Sequence, residues 1–388
     1  MGLYQPEHAN VLRAFYGDDH GEYGSVLESL ATFLEDEIAP KSPSIDAEAA
    51  SIAGVRKKLF DQGLCRIPFE APEGMALPFG VYSLAMELVG SADAPTAMSM
   101  GIHCTVAEGL RRFGSPSLNE SFLTDLVAGR KLAAFSLTEP SSGSDARSMS
   151  TKAVREGSSY VINGSKMFIT NAGEADVYLV FAATEKGHSA FLVDSTTPGL
   201  STGLDLPKLG MRGSRTAEVR FADCTVPEER LVGEDGRGFE YVKAMLNGSR
   251  IIMGAICVGI AKAAYGKAVA YSAQRDLFKQ RLADLHITRE KIANMRTDIT
   301  AGRQLCLYAS RLRELGLGYA SEAAQAKVFS SEMAARVCDQ VIQIFAGYGY
   351  TNADIHRHWR DARLLAIGEG TSEVLRLLIA GKEVERPR

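Results

Sequence analysis

The hydrophobic period of this chain changes twice along its length, and that feature restricts the folds open to it most. In the first third, apolar residues recur at helical spacing, as in Val26, Leu27, Leu30, Phe33 and Leu34, the pattern of a helix with one buried face. Residues 151–155, 160–164, 166–170, 177–183, 189–194 and 217–221 are then short runs rich in Val, Ile, Phe and Tyr. Turn signals at Glu156-Gly157, Asn163-Gly164 and Lys186-Gly187 separate them, so this block reads as strands. From about Gly238 helical spacing returns. Leu305, Tyr308, Leu312 and Leu315 form the expected seam of one helix, and Met333, Val337, Val341 and Ile344 that of the next. Helices, then strands, then helices predict separate packed units rather than an alternating βαβ sheet. The expectation is an α+β multidomain chain: a helical domain over residues 1–130, an antiparallel β-sheet or barrel domain over 131–236, and a helical domain over 237–388.

Local signals refine this. Ser25 with Glu28, and Ser117 with Glu120, have the spacing of a capping box at a helix start. Pro40 and Gly129 read as helix stops. Asn163-Gly164 between two strand-like runs is the signature of a two-residue hairpin. Gly347, Gly349 and Asn352 break a helix, and a last helix is expected to begin near Thr371.

Several functional classes are disfavoured. Apolar residues make up 46% and charged residues 23% of 388 positions, with net charge −4, so no bulk basic character points to nucleic acid. The first two dozen residues carry acidic side chains and no apolar core, unlike a transit or signal peptide. Residues 251–260 form the longest apolar run, too short to span a bilayer, and a cytoplasmic protein with no membrane partner is expected. The six cysteines are scattered without a CxxC pair, the usage of a reduced compartment. His356 and His358 flank Arg357 near Arg360; a solvated basic turn is expected there, and no metal. No GxGxxG follows a strand, which disfavours a nicotinamide site.

Four segments carry candidate chemistry. Residues 134–145 leave a strand and enter a loop dense in hydroxyls and glycine, offering Thr138, Ser144 and backbone N–H groups to a polar planar ligand; an ordinary Ser-rich surface loop has the same composition. In residues 166–171, period 2 puts Phe168 and Thr170 on one strand face, suited to a face and an edge of a flat heterocycle, or to a core. Arg275 with Phe278 follows a long helix, and Arg favours bidentate phosphate contacts. Glu369 stands between Gly368 and Gly370 ahead of Thr371 and Glu373. Glycines let backbone approach a ligand, and the helix start beyond favours an anion. That segment reads either as a positioned carboxylate base or as a capped glycine loop.

Taken together and in order, these segments resemble the acyl-CoA dehydrogenase family. Residues 208–216 (KLGMRGSRT), 226–233 (VPEERLVG) and 347–350 (GYGY) extend the likeness to all three blocks. The resemblance implies a C-terminal four-helix bundle, FAD as cofactor and a homotetramer, or a homodimer. It implies that Phe135, Leu137, Thr138 and Ser144 border the flavin and that Phe168 and Thr170 cover its other side. Arg275, Phe278, His286, Gln343 and Gly347 would meet the cofactor across a subunit boundary, and Thr371 and Glu373 would touch it at the last helix. Ser144, Asn247, Arg250 and Gly370 would face an acyl thioester on coenzyme A or on an acyl carrier protein.

Glu369 matches the family's base, which removes the α-proton while the β-hydrogen leaves as hydride to flavin N5, giving a trans-2-enoyl thioester. Some relatives place the base on the long helix, where this chain has Ser249. An electron-transferring flavoprotein is the family's usual acceptor. The alternative on this scaffold is a flavin monooxygenase or oxidase, which usually lacks the glutamate. Lys279 stands where glycine is common and His286 where glutamine is frequent. Gly368 replaces a tyrosine common in straight-chain enzymes, leaving room for a branched, bulky or polar acyl group.

Overall fold

The computed structural model describes residues 2–384. Met1 and residues 385–388, the ends of the first and third expected domains, lie outside the described residues. The first block is helical: α1 (Pro6–Tyr16), α2 (His20–Glu37), α3 (Ser42–Glu48), α4 (Ala53–Asp61), α5 (Phe79–Ala92), α6 (Ala94–Phe113) and the short α7 (Pro116–Leu118) and α8 (Thr124–Val127). The strands follow: β1 (Ala133–Ser136), β2 (Lys152–Glu156), β3 (Ser159–Thr170), β4 (Val177–Thr184), β5 (Gly187–Asp194), β6 (Leu200–Thr202), β7 (Thr216–Pro227) and β8 (Leu231–Val232). The last block holds α9 (Gly238–Gln274), the hairpin β9 (Asp276–Leu277) and β10 (Gln280–Arg281), then α10 (His286–Glu314), α11 (Ala320–Phe345), α12 (Gly347–Thr351), α13 (Ala353–Leu365) and α14 (Ser372–Val384).

Helix α9 organises the molecule. It packs on α10, α11 and α13 to form a four-helix bundle, and on α5 and α6 of the first block. Its most apolar stretch is 83% buried, so a helix long and apolar enough to cross a bilayer is here the shared core of two units. Helix α5 lies in the same core with all fourteen residues buried. The two helices touch backbone to backbone through glycines. A Cβ on Gly259 would lie 2.2 Å from Glu87 O, and one on Gly90 would lie 2.9 Å from Ile256 O. Gly259→Ala is therefore expected to destabilise by about 1–3 kcal/mol, since main chain cannot yield as a side chain can; a lowered midpoint in urea at unchanged slope checks this.

The sheet departs from the expected antiparallel arrangement. Its order is β6-β7-β3-β2-β4-β5-β8, with β1 beside β4. The β1–β4 and β2–β4 pairings are parallel, so the sheet is mixed. The Asn163-Gly164 hairpin does not form. β3 runs through both residues and keeps β7 as its partner, with a register shift between Ile162 and Gly164. Asn163 spends its side chain on Asp223, accepting from Asp223 N at 2.8 Å and donating to Asp223 Oδ1 at 3.1 Å. Gly164 is needed because a Cβ there would sit 2.7 Å from Thr151 Cα in the segment just before β2. An extended bulge, not a turn, is what this glycine serves.

Other local expectations also shift. Ser25 lies inside α2 and donates to Gly21 O at 3.0 Å; a 3₁₀ turn leads from α1 into α2 and leaves no helix start at 25. The second cap is Ser115, whose Oγ accepts from Leu118 N, rather than Ser117. On α10 the buried face is Met295, Ile299, Arg303, Cys306 and Leu307, while Tyr308 and Leu315 are 52% and 55% exposed. Arg303 explains the displacement. It donates through Nε and Nη2 to the fully buried Glu87 of α5 at 2.8 and 2.6 Å, so an ion pair holds a face that periodicity assigned to solvent. His358 and Arg357 are buried in α13, not in a solvated turn. The α11 seam through Met333, Val337 and Val341 is buried as expected. All six cysteines are free and buried.

Candidate active site

The turn between α13 and α14 carries Glu369. Its φ is +57° and that of Gly370 is +98°. A left-handed glutamate is uncommon, and such strain persists where the surroundings dictate it. The carboxylate is turned inward. Oε1 accepts from Ser249 Oγ on α9 at 2.8 Å, and Oε2 is buried without a partner among the described residues. Thr105 on α6 in turn donates to Ser249 Oγ at 3.0 Å. Burial pushes the Glu369 carboxyl above its ordinary value, while the Ser249 hydrogen bond and the charges of Lys327 and Arg250 hold it down. A desolvated carboxylate with one free lone-pair oxygen is suited to taking a proton.

Two cations frame it. Lys327, buried in α11, donates to Gly370 O at 2.6 Å, and burial lowers it to about 8. Arg250 donates to Asn247 Oδ1 at 2.9 Å, and its buried Nε has no partner among the described residues. Thr371 Oγ1 accepts from Val374 N at 3.3 Å and caps α14. The structure thus brings Asn247, Arg250, Glu369, Gly370 and Thr371 together. Glu373 is exposed in the first turn of α14. Sequence reasoning gave no part to Lys327 or to Thr105. A lone lysine among Ala323, Ala324, Ala326 and Val328 on a buried helix face was the available signal for the former.

A second group forms where β1 meets β3. Met167 N donates to Thr138 O at 2.8 Å, across a register shift between Lys166 and Ile169. This bulge breaks the period-2 pattern: Phe168 has φ +60° and is 63% exposed, while Thr170 is half-buried. Phe135 is half-buried against Phe181, and Ser144 is exposed on the loop beyond Leu137 and Thr138. A buried ion pair underpins the loop. Lys166 Nζ donates to Glu139 Oε1 at 2.7 Å and to Leu137 O at 3.1 Å. Ser150 N, Ser150 Oγ and Thr151 N complete the glutamate's shell. Against the effect of burial, these donors lower Glu139 to about 2. Both residues lie inside the segments singled out from sequence, where neither was given a role.

The remaining candidates lie at the far end of the bundle. Arg275 caps α9, and Phe278 and Lys279 are the centre of the β9–β10 hairpin, with φ of +53° and +63°. Phe278 is 80% exposed. His286, Gln343 and Gly347 are exposed, and Tyr271 stacks on Phe345 at 4.2 Å, joining the end of α9 to the end of α11.

The described residues thus hold a buried carboxylate with two cations beside it, and, on the sheet, a ledge with an exposed aromatic ring. Comparison with known proteins identifies the family. Residues 22–130, 134–224 and 236–383 match the N-terminal, middle and C-terminal domains of acyl-CoA dehydrogenases. The human mitochondrial short-chain specific acyl-CoA dehydrogenase is 38% identical over 366 residues, covering 92% of this chain and 88% of its own. The solved butyryl-CoA dehydrogenase of Megasphaera elsdenii superimposes with a TM-score of 0.91 at 35% identity, covering 94% and 98% of the two chains. A chain in a structure described as an electron transferring flavoprotein of Acidaminococcus fermentans gives a TM-score of 0.92 at 35% identity, with the same coverage. The chain belongs to the acyl-CoA dehydrogenase family. It is an oxidoreductase, and its cofactor is FAD.

The residues present fit that cofactor. Phe168, held out by the bulge beside the half-buried Thr170, offers an exposed apolar face with a hydroxyl next to it, groups that suit a flat, polar-edged ring.

Proposed function

We propose that the protein catalyses α,β-dehydrogenation of an acyl thioester, with Glu369 as the base that removes the α-proton. The observation that carries this reading is the inward carboxylate of Glu369, with Oε2 buried and without a partner among the described residues. When bound, FAD supplies the acceptor for the β-hydride. The chain supplies the rest. Ser249 fixes the carboxylate through Oε1 and leaves Oε2 to receive the proton. The Glu369 N–H pairs with no acceptor among the described residues, so it is available to a thioester carbonyl. One such donor is typically worth about 3–4 kcal/mol to the developing enolate.

Phe135, Leu137, Thr138, Ser144, Phe168 and Thr170 would hold the flavin ring, and Thr371 and Glu373 would approach it from α14. Arg275, Phe278, His286, Gln343 and Gly347 would meet the cofactor of a second copy in a homodimer or homotetramer. The exposure of Phe278 and of its strained hairpin supports this. Asn247, Arg250 and Gly370 would face the thioester. A short acyl chain on coenzyme A, and an electron-transferring flavoprotein as acceptor, follow from the relatives' names. Anaerobic mixing of the holoenzyme with a panel of acyl-CoA and acyl-carrier thioesters tests the reading. Loss of flavin absorbance with an enoyl product is expected. NADH-dependent oxygen uptake without thioester oxidation would replace it with the monooxygenase alternative.

The pH profile carries a further expectation. Glu369 is raised by burial, so the rate rises with pH as the carboxyl ionises, above the ordinary glutamate range. Lys327 lowers Glu369 electrostatically. Lys327→Met should therefore move the acid limb of kcat/KM to higher pH. An unmoved limb would show that Lys327 only anchors Gly370 O.

A further inference from the structure

Helix α6 is hydrogen-bonded to both parts of the site, through Ser99, His103 and Thr105, all buried. On one side Thr105 reaches the base. With Glu369 ionised, the Ser249 proton is committed to Oε1 at 2.8 Å. The 3.0 Å contact between Thr105 Oγ1 and Ser249 Oγ is then a hydrogen bond only with Thr105 as donor. Gly101 O, one turn back on α6, lies 2.8 Å from the same hydroxyl and holds it in place. On the other side Ser99 and His103 reach the sheet. Asn171 directly follows β3 with φ +69°, a conformation that asparagine tolerates. It accepts from Ser99 Oγ at 2.6 Å, and its Nδ2 donates to Ser99 O at 3.2 Å and to Ala133 O of β1 at 3.0 Å. Ala133 N donates to His103 Nδ1 at 3.0 Å, and burial holds His103 down at about 4, so this nitrogen is free to accept. Strand β1 carries Phe135, and β3 carries Phe168 and Thr170. Helix α6 therefore grips both strands of the ledge at their ends, and grips the base from a residue six positions further on, a rise of about 9 Å.

Resting on the dehydrogenase reading above, we infer that α6 sets the spacing between Glu369 and the flavin, with Thr105 and Ser99 as positioning residues. Each acts through a neighbour: Thr105 through Ser249, Ser99 through Asn171. Proton and hydride leave from adjacent carbons, so base and flavin must both be in place at once. A displacement of about 1 Å can cost about 100-fold in rate. One helix referenced to both parts by short hydrogen bonds meets that need. Losing either anchor frees the helix at that end, so losing the second adds little.

The test is a double-variant cycle on purified holoenzyme, read by anaerobic single-turnover flavin reduction with butyryl-CoA. Thr105→Val and Ser99→Ala should each slow reduction about tenfold. Thioester affinity and thermal midpoint should stay near wild type, the mark of lost alignment rather than lost binding. Thr105→Ser, which keeps the hydroxyl, should restore the rate. The flavin absorbance spectrum should shift in Ser99→Ala and stay unshifted in Thr105→Val. The double variant should be slowed by clearly less than the roughly hundredfold product expected of independent sites. Should Ser99→Ala not fold, Asn171→Gly, which suits the positive φ, takes its place in the cycle. Effects that multiply would make these two separate local contacts and overturn the inference. So would a wild-type rate in Thr105→Val, no rescue by Thr105→Ser, or an unshifted spectrum in the Asn171-side variant. If the wild-type flavin stays oxidised with butyryl-CoA and every other acyl thioester, the dehydrogenase reading itself fails and this inference with it.

Discussion

Glu369→Gln should give a folded, yellow protein that reduces its flavin with an acyl thioester at least about 1,000-fold more slowly than wild type, within the 10²–10⁴ range of a general base. Glutamine keeps the shape and can still accept from Ser249 Oγ, the contact made by Oε1 at 2.8 Å. What it loses is the basic Oε2, which has no partner among the described residues. Stability should change little. Burial raises the Glu369 carboxyl, so the native state holds its proton more tightly than the unfolded chain. Through that window, from the ordinary glutamate value upward, the ionised group costs stability as pH rises. Replacing it with a neutral amide removes this slope. Flavin content, thermal midpoint and single-turnover reduction, measured on one preparation, separate lost chemistry from lost fold. Normal turnover in this variant would remove Glu369 from the mechanism.

The second large effect is structural. Lys166→Met should destabilise the protein by about 3–5 kcal/mol, the usual result of removing one partner of a buried ion pair. Glu139 would keep its bonds from Ser150 and Thr151 but lose the Lys166 charge beside it. Lys166 also ties Leu137 O, so the loop from 137 to 145 should loosen and FAD affinity should fall with stability. The wild-type pair has a pH signature. Glu139 is held at about 2, below its unfolded value. Its contribution is therefore full above that unfolded value and is lost as pH falls from there towards 2. Denaturant titrations between pH 3 and 7 on wild type and variant check both statements. An equal loss of stability with acid in the two proteins would contradict them.

Much of the fold was legible because period is a direct consequence of burial. The switch from helix to strand and back located the three blocks, and the α11 seam fell where spacing put it. Two expectations failed for a common reason: a polar residue was spent on a distant partner. Asn163 reads as a hairpin residue, but its side chain bonds Asp223 on β7 and the strand continues. The α10 seam reads as Leu305, Tyr308, Leu312 and Leu315, but Glu87 of α5 draws Arg303 inward and turns the buried face. Neither pairing has a local signature.

The candidate site divides in the same way. Glu369 was visible because two glycines flank it, and its positive φ is the conformation such a context permits. The bulge at Phe168 was not visible, since no glycine or proline announces it and the pairing that forces it, Met167 N to Thr138 O, spans 29 residues. Lys327, Thr105 and the Lys166–Glu139 pair act through tertiary contacts alone.

The role of Glu369 can be tested on the wild-type enzyme with deuterated substrate. Single-turnover flavin reduction would be followed anaerobically with butyryl-CoA bearing deuterium at the α carbon, against the unlabelled thioester. Cleavage of that bond by Glu369 predicts a clearly slower reduction with the labelled substrate and the same enoyl product from both. Identical rates in the wild type together with an active Glu369→Gln variant, or a flavin that stays oxidised with either substrate, would contradict it.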